Sequence, residues 1–238
     1  MNKSYKKNIL KQLQHNLKTK NNSELKFINI FEDILINKGE IIISKINNIL
    51  SKTSNKVFAK NCLIKEVNYK DSKIFLNNNH LQGFINSSVS LGLYYKDELI
   101  SLMNFGKERK ALGNKKSEKN NWELLRFCNK LNYSIVGGAS KLLKYFKDNY
   151  KPKYIVSYCD KNWSVGNLYE KLNFNKVSET ESNYWWCKDG KRNHRFTFRK
   201  DKLVKMGYNK NKTEVEIMEK LGYNRIYDCG SIKFELML

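Results

Sequence analysis

The chain has only one proline in 238 residues and about half as many acidic as basic side chains. Lys and Arg number 45 and Asp and Glu number 23, which gives a formal net charge of +22. An excess of this size attracts polyanions, so it favours nucleic acid as a partner, with DNA as the expected form. Asn and Lys are both abundant, and an A+T-rich gene would also encode such a composition. Part of the Lys excess therefore has a second explanation as a solvated surface.

Long apolar runs and cysteine pairs are also missing. No stretch approaches the roughly 18 apolar residues of a membrane span. The basic N-terminus lacks the apolar core and the small-residue cleavage site of a secretory signal. The five cysteines are far apart and form no CxxC pair, which predicts reduced thiols and no zinc site. We therefore expect a cytoplasmic protein with no membrane association, no metal and no stable protein partner.

The N-terminal part of the sequence differs in texture from the rest. Residues 1–23 are polar and basic, typical of a frayed helix or a disordered arm. Residues 24–55 carry apolar positions at helical spacing, which predicts two helices broken near Gly39. We divide the chain into a basic arm with a helical extension, residues 1–55, and a mixed domain, residues 56–238, with a C-terminal helix and strand.

Strands and helices are interleaved in the second part. Hairpin turns are predicted at residues 96–98 and 189–190, and residues 107–121 read as a charged loop. A capping box at residues 213–216 predicts a helix that ends near Gly222. Further strands are predicted at residues 57–67, 91–95, 99–106, 122–131, 153–160, 194–200 and 232–236, with a strand or bent pair at residues 174–187. Further helices are predicted at residues 71–79 and 164–172, and from the glycine turn to residue 150.

The segment with the clearest chemistry is a strand, a glycine turn, a helix and a second strand. The turn Val136-Gly137-Gly138-Ala139 has no large side chains, so its backbone N–H groups can approach a ligand. They also lie at a helix N-terminus, where the helix dipole favours an anion such as a phosphate. The alternative is that small residues only allow the helix to pack tightly on the sheet.

Residues 122–177 resemble the core of the GNAT (Gcn5-related N-acyltransferase) superfamily. Two motifs carry the resemblance: the glycine turn and the run from Asn167 to Phe174, which reads NLYEKLNF. Gly137 and Ala139 match the loop pattern of the superfamily, whereas Ser134 stands where Arg or Gln is usual. The resemblance implies a GNAT-like α/β fold with a mixed, splayed central sheet flanked by helices.

The same resemblance implies a cofactor and a catalytic residue. The cofactor would be acetyl-CoA or another acyl-CoA, held by Val136, Gly137, Gly138, Ala139, Ser140 and Asn167. Tyr169 matches the Tyr that often protonates the leaving thiolate in GNAT enzymes, a role that suits a phenol. The alternative is that Tyr169 packs its ring and satisfies its hydroxyl.

A longer resemblance covers most of residues 24–238. Short runs around His80, Arg126, Asp160 and Trp163, and the closing RIYDCG at residues 225–230, are similar to phage and mobile-element proteins labelled homing-endonuclease-like. Longer members of that group carry a Vsr-like nuclease segment before a GNAT-like domain. Residues 25–33 resemble the end of such a segment, and the upstream nuclease part is not expected here.

Three polar residues are candidates for the reaction. His80 follows a predicted helix and would either act as a base near pH 7 or cap the helix. Asp160 ends a central strand, at the edge where ligands gather in open α/β sheets. Arg126 lies within an apolar strand and needs a partner or an anion. Arg126 and Asp160 would form either a structural ion pair or a pair that positions the substrate.

Aromatic and basic side chains alternate around the second predicted hairpin. Aromatic faces stack on bases and cations neutralise phosphates, so this pattern favours nucleic-acid contact. The alternative is a strand with one face in the core and one in solvent. The candidate contacts, together with Arg126, are Trp163, Trp185, Lys191, Arg192, Arg195 and Arg199.

Three hypotheses follow. The first is a phage-type GNAT-fold transferase that acylates a base amine, with His80 or Asp160 accepting a proton and Tyr169 donating one. The second is a silent DNA-binding module that has lost its cofactor, which Ser134 favours. The third is a nuclease, which only the longer resemblance favours.

Overall fold

A computed structural model describes residues 27–108 and 120–238. The predicted arm at residues 1–23 and most of the predicted loop at 107–121 lie outside these ranges. The described chain divides into two compact units. The large unit comprises residues 34–158, 166–178 and 233–238, and the small unit comprises residues 27–33, 159–165 and 179–232.

The described residues contain strands, α-helices and two short 3-10 helices. The strands are β1 Asn55–Phe58, β2 Leu63–Glu66, β3 Val89–Tyr95, β4 Glu98–Lys107, β5 Asn121–Asn129, β6 Tyr133–Val136, β7 Tyr154–Asp160, β8 Asn175–Glu179, β9 Tyr184–Lys188, β10 Lys191–His194, β11 Asn224–Tyr227 and β12 Ser231–Met237. The α-helices are α1 Glu32–Ile49, α2 Tyr69–Asn79, α3 Gly138–Tyr150, α4 Asn167–Lys171, α5 Lys200–Lys205 and α6 Glu214–Lys220. The 3-10 helices are Ala59–Asn61 and Arg195–Phe198.

A seven-stranded sheet forms the core of the large unit, in the order β2-β3-β4-β5-β7-β12-β8. Strands β2 to β5 pair antiparallel, and the predicted hairpin joins β3 to β4 through Lys96 and Asp97, both with positive φ. Strands β5 and β7 pair parallel. A parallel pair needs a crossover, which the chain makes through β6 and α3. The predicted strand, glycine turn, helix and strand is therefore confirmed.

Helices cover both faces of this sheet. On one face, Phe75 and Leu76 of α2 pack with the buried Leu102 of β4. On the other face, the ring of Phe146 in α3 stacks on Phe105 of β4 at a centroid distance of 3.6 Å. Successive side chains of a strand point to opposite faces, so Leu102 and Phe105 bind different helices.

The N-terminal helix is kinked where the sequence predicts a break. Within α1, Lys38 has non-helical backbone angles, φ −141° and ψ 31°, one residue before Gly39. Ile41 and Ile42, which follow the kink, are buried. The two predicted helices are thus two halves of one kinked helix.

The predicted strand at residues 57–67 is wrong. Residues 57–67 do not form a single strand, because the 3-10 helix Ala59–Asn61 separates β1 from β2. The two pieces have different partners: β1 pairs parallel with β6, and β2 pairs antiparallel with β3. An apolar run shows that a segment is buried but does not show which strand it pairs with.

The small unit is a three-stranded antiparallel sheet, β10-β9-β11, with short helices. Asp189 and Gly190 form the predicted turn, both with positive φ. The core contains the fully buried Trp186, with Leu203 of α5 and Ile217 and Met218 of α6. The predicted strand at residues 194–200 is wrong, because the chain leaves β10 at His194 and enters the 3-10 helix Arg195–Phe198.

The prediction of a mixed α/β fold with a central sheet flanked by helices is confirmed. Among the described residues, no helix combines the length and the hydropathy that crossing a bilayer requires. The predicted domain boundary at residue 55, and the interpretation of the first 55 residues as a nuclease remnant, stay predictions.

Candidate active site

The glycine turn lies between β6 and α3. Gly137 is the N-cap residue, and its φ of +77° is in the left-handed region that favours glycine. A Cβ at residue 137 would meet one described atom within 4 Å, the Cβ of Ala59 at 3.9 Å. Gly137 is also exposed. The space in front of the turn is therefore open as far as the described residues define it.

The neighbouring glycine has a different role. A Cβ at residue 138 would lie 3.0 Å from Cγ2 of Ile135 and 3.3 Å from Cδ1 of Leu93. Gly138 therefore allows α3 to approach the sheet closely, which is the packing alternative. Gly138 and Ala139 are buried, whereas Val136 and Ser140 are exposed on either side of them. The turn thus combines tight packing at residue 138 with an open surface at residue 137.

The first turn of α3 begins directly after the exposed Gly137. The first four N–H groups of a helix have no acceptor within the helix, and the helix dipole adds a partial positive charge. Nζ of Lys141 donates hydrogen bonds to the carbonyl oxygens of Ala59 at 2.9 Å and Cys62 at 2.6 Å. These bonds hold the start of α3 against the connection between β1 and β2.

Strand β1 brings further side chains to the turn. In its parallel pairing with β6, Lys56 is the register partner of Ser134 and Phe58 is the partner of Val136. Phe58 is 47% exposed, and Nζ of Lys56 lies 6.0 Å from its ring centroid. Paired residues of neighbouring strands project from the same face. Lys56 therefore projects from the same face as Ser134, the position that departs from the GNAT loop pattern.

His80 follows α2 and has several cations around it. Its Nδ1 accepts a hydrogen bond from the N–H of Gln82 at 3.1 Å, so the proton of the neutral ring is on Nε2. Burial, and then the charges of Arg126, Lys45 and Lys38, lower the pKa of His80 to about 3. His80 is therefore neutral at pH 7 and a weak proton acceptor, which disfavours the predicted role as a base.

Arg126 lies on β5 beside a β-bulge. The register between β4 and β5 shifts after Asn104 and leaves Leu125 as the extra residue. Nη1 of Arg126 donates to the Leu125 carbonyl at 2.8 Å, and Nε donates to the Gly83 carbonyl at 3.4 Å. Backbone carbonyls thus hold part of the guanidinium. The ion pair expected between Arg126 and Asp160 stays a prediction.

Tyr169 is held by ring packing and by its hydroxyl. Its ring stacks on Phe234 at 4.8 Å and meets the edge of Phe174 at 5.7 Å. Its hydroxyl is hydrogen bonded to the Ser157 hydroxyl at 3.0 Å, and Ser157 also bonds the carbonyl of Leu124 at 2.8 Å. The phenol is therefore fixed in orientation, which suits both a proton donor and a packed core residue.

Asp160 ends β7 and belongs to the small unit. Its Oδ1 accepts hydrogen bonds from the N–H and the side-chain amide of Asn162, at 2.9 and 2.8 Å. Its carbonyl oxygen accepts the N–H of Trp163 at 3.1 Å. Asp160 thus shapes the turn after β7, while its predicted role in the reaction stays a prediction.

Asn167 is the first residue of α4 and is exposed. The preceding Gly166 has φ +105°, and a Cβ there would lie 2.2 Å from Cζ of Phe234. Glycine is therefore required before Asn167, and it lets α4 begin against Phe234. The predicted contact of Asn167 with a cofactor stays a prediction.

Arg192, a predicted nucleic-acid contact of the small unit, is paired with a carboxylate in the structure. Its Nε and Nη2 donate to the two carboxylate oxygens of Asp33 at 2.8 and 2.7 Å, and both side chains are largely buried. The Arg192 guanidinium also lies 4.6 Å from the ring of Phe31. A bidentate buried ion pair occupies the donors that would bind a phosphate, so this geometry favours a structural role.

The two tryptophans of β9 separate to opposite faces. Trp186 is in the core, whereas Trp185 packs edge-on against His194 at 4.8 Å. For Trp186 the alternative given by the sequence is therefore confirmed: its side chain lies on the side of the strand that faces the core. Lys191 is exposed, and the side chain of Arg199 is 60% exposed, with Nε 3.3 Å from Oδ1 of Asp201. Lys191, Arg199 and Trp185 stay candidate contacts.

The sequence did not point to Lys56 or Ser157, and it placed Arg225 only near Asp228. Each gains its position from a partner distant in the chain: Ser134 for Lys56, Tyr169 for Ser157 and the core aromatic residues for Arg225. Only pairing information could have revealed them. Within the described ranges, no three His, Cys, Asp or Glu side chains gather to hold a metal ion.

The parallel strands β5 and β7, joined through the glycine turn and α3, define a mixed α/β protein with a large, mostly antiparallel sheet. Solved structures similar to this chain include a GNAT family acetyltransferase from Elizabethkingia anophelis with acetyl-CoA bound. It is 13% identical, with a TM-score of 0.41 over 75% of this chain and 99% of that one. The ribosomal-protein-S18-alanine N-acetyltransferase from Escherichia coli is 11% identical, with a TM-score of 0.45 over 74% and 93%. A GNAT family acetyltransferase from Streptococcus pneumoniae is 13% identical, with a TM-score of 0.44 over 74% and 99%.

The chain belongs to the Mom protein family, whose sequence model matches residues 61–227. The match begins before β2 and ends with β11, so it includes the glycine turn and both predicted hairpins. No curated protein sequence matches this chain. The resemblance to homing-endonuclease-like proteins stays a prediction.

Proposed function

We propose that this protein is an acyl-CoA-dependent N-acyltransferase that modifies an amine of a nucleic-acid base. The proposal is based on the glycine turn at the start of α3, which is open at Gly137 and lies on the crossover between the parallel strands β5 and β7. Backbone N–H groups at a helix N-terminus suit a pyrophosphate. GNAT-like architecture and membership of the Mom family are consistent with a transferase.

The residues of the glycine turn fit a phosphate-bearing cofactor. The space in front of Gly137 is open, because glycine has no side chain and the nearest described atom to an added Cβ is 3.9 Å away. A phosphate in that space would be bound by the N–H groups of residues 137–140. Lys56 would compensate for Ser134, since it is the register partner of the position where the GNAT pattern has Arg or Gln and carries a cation. When bound, an acyl-CoA supplies a thioester whose acyl group is transferred to the amine.

Tyr169 is the proposed proton donor. A phenol whose orientation is fixed by Phe234 and Ser157 can donate its proton to a sulfur anion and recover a proton from solvent. The side chain also keeps its packing role, because ring stacking and proton donation use different parts of the residue.

The proton of the attacking amine needs a different acceptor from His80. With Nδ1 bonded to a backbone N–H and a pKa of about 3, His80 is suited to donate a hydrogen bond from Nε2. Asp160 is the proposed proton acceptor, and an Asp160→Asn variant should lose activity while keeping cofactor affinity. An exocyclic base amine is a poor nucleophile, so positioning must supply much of the rate.

Nucleic acid as the target follows from charge. A net charge of +22 produces a field that concentrates polyanions at the surface. Exposed basic residues such as Lys191 and Arg199 would contact the phosphates, and Trp185 would contact bases. Mom family membership agrees with a target of this kind.

The second candidate is a nucleic-acid-binding module without a cofactor. Ser134 favours this reading, because it removes a side-chain donor from the loop. The position of Lys56 weakens that argument, because the missing donor has a substitute.

Calorimetric titration with acetyl-CoA tests the proposal. Wild-type protein should bind, and Gly137→Val should abolish binding, because the new side chain would stand where a phosphate must lie. Gly190→Val is the matched control: residue 190 also has a positive φ, and a Cβ added there would meet no described atom within 4 Å, so backbone strain is similar. No binding by wild-type protein would favour the second candidate, and equal binding by Gly137→Val would refute the placement of the cofactor.

A further inference from the structure

Two arginines of the small unit lie over one aromatic cluster. The Arg195 guanidinium is 5.7 Å from the ring centroid of Tyr184, and the Arg225 guanidinium is 5.9 Å from Trp186 and 6.0 Å from Tyr227. Tyr184 contacts Trp186 at 5.6 Å and Tyr227 at 5.8 Å. The arginines are therefore held against rigid, mutually packed rings, which restricts their side-chain motion.

Neither arginine has its hydrogen-bonding capacity met by the described chain. The Nε atoms of Arg195 and Arg225 are both buried and have no acceptor among residues 27–108 and 120–238. A buried donor without an acceptor destabilises a fold. Two of them beside one cluster single out these arginines as a candidate binding site.

The acidic groups around the cluster do not replace this partner. Oε1 of Glu214 accepts hydrogen bonds from the Tyr184 hydroxyl at 2.9 Å and from Nε1 of Trp186 at 3.0 Å. Oε1 of Glu219 lies 3.5 Å from Nη2 of Arg225, but the Glu219 side chain is 51% exposed. An ion pair this exposed contributes little in water. Arg195 has no carboxylate partner in the part of the chain that the structure describes.

We propose that Arg195 and Arg225 form a phosphate-binding site that holds one phosphodiester of a nucleic acid. This proposal rests on the proposed function, in which nucleic acid is the target. Arg195 and Arg225 are the residues that bind its backbone. The planar guanidinium fork matches phosphate oxygens and forms two charge-assisted hydrogen bonds. Arginines restrained beside packed rings lose less freedom on binding than free side chains do.

The net charge of the chain favours a nucleic-acid phosphate over a small anion at this site. A molecule with 22 excess positive charges draws a polyanion far more strongly than a single carboxylate or inorganic phosphate. The site is therefore assigned to a backbone phosphate, and inorganic phosphate serves as a competitor in the test.

The test is fluorescence anisotropy of a labelled DNA duplex of about 20 base pairs, titrated at several salt concentrations between about 50 and 200 mM. Arg195→Gln and Arg225→Gln should each weaken binding roughly tenfold at low salt and lower the salt slope by about one. Arg→Lys variants should recover only part of the affinity, because lysine keeps the charge and loses the fork. Lys210→Gln, in an exposed loop of the same unit, is the matched control for loss of one charge.

A double-mutant cycle and a gain-of-affinity variant sharpen the result. If both arginines hold the same phosphate, the double variant should be only slightly weaker than either single variant, whereas independent surface charges would give additive losses. Glu219→Gln should strengthen binding about twofold to threefold, because it removes the carboxylate that competes for Arg225. Melting curves of all variants show whether the small unit remains folded.

The outcomes separate this proposal from the proposed function. Binding by wild-type protein with unchanged affinity in folded Arg195 and Arg225 variants would overturn the site and leave the transferase intact. The site would also be overturned by strictly additive losses. If wild-type protein bound neither DNA nor RNA in a salt-dependent way, the nucleic-acid target and the site would both be wrong, while acetyl-CoA binding would still test the cofactor.

Discussion

Lys56 lies directly opposite Ser134 in the parallel pair of β1 and β6. Ser134 occupies the loop position where the GNAT pattern has Arg or Gln, and in the proposed cofactor site Lys56 would supply the donor that Ser134 lacks. Ser134 is three residues before the open turn at Gly137, and Lys56 lies on the strand that pairs with this segment. This relationship gives the first prediction, which concerns cofactor affinity.

Lys56→Ala should weaken acetyl-CoA binding about tenfold, because it removes a charged donor that would contact a phosphate. Calorimetry measures the change, and Lys70→Ala on α2, also exposed, is the control. Adding Ser134→Arg to Lys56→Ala should restore most of the affinity, since it returns the donor to its usual strand. Unchanged affinity in Lys56→Ala would show that the side chain does not reach the cofactor.

The second prediction concerns Tyr169. Tyr169→Phe should keep the ring stacked on Phe234 and so keep the fold, but it should lower kcat by about 100-fold with little change in KM. Steady-state kinetics with an acyl-CoA and a nucleic-acid acceptor measures both constants. The control is Tyr150→Phe, which removes a hydroxyl bonded to Glu66 in the same unit. A kcat equal to that of wild type would leave Tyr169 with the packing role alone.

The third prediction concerns the pH dependence of stability. The folded-state pKa of His80 is lowered to about 3 by burial and neighbouring cations, from 6.5 for the free side chain. Between these values the unfolded chain binds a proton that the folded chain does not. The free energy of unfolding should therefore fall as the pH drops below 6.5, by at most about 1.4 kcal/mol per pH unit, and no such loss arises from His80 above pH 7.

Urea denaturation between pH 5 and pH 7 measures this effect. Wild-type protein should lose more stability over that interval than His80→Gln, which has no imidazole to protonate. An identical pH dependence in the two proteins would contradict the lowered pKa. Nitrogen-15 NMR of the His80 ring gives an independent check, since Nδ1 should remain unprotonated and Nε2 protonated at pH 5 to 8.

Local signals in the sequence were sufficient for much of the fold. The spacing of Thr213 and Glu216 predicts a capping box. In the structure each of these side chains accepts a hydrogen bond from the backbone N–H of the other residue, within one turn of the helix. The turn at Asp189 and Gly190 and the positive φ of Gly137 likewise depend on residues next to each other. Features of this kind are encoded within a few residues, so a single sequence reveals them.

Features that depend on distant partners could not be predicted in the same way. The run at residues 57–67 reads as one strand, yet its two halves pair with β6 and β3. Residues 194–200 alternate like a strand, but the ring of Phe198 packs with the small-unit core from a 3-10 helix. The candidate site shares this dependence, because the relation of Lys56 to Ser134 exists only through strand pairing.

The fourth prediction concerns Arg192, which looked like a phosphate contact in the sequence and forms a buried bidentate pair with Asp33 in the structure. Removing one member of a buried pair leaves the other charge without compensation, so Arg192→Ala and Asp33→Ala should each lower the free energy of unfolding by about 3 to 5 kcal/mol. Arg199→Ala is the comparison, because its pair with Asp201 is about 60% exposed and should contribute less than about 1 kcal/mol. Urea denaturation measures these losses, and the double variant Arg192→Met with Asp33→Leu should recover part of the stability, since no charge is then left buried. A stable Arg192→Ala variant with strongly weakened DNA affinity would instead return Arg192 to the nucleic-acid surface.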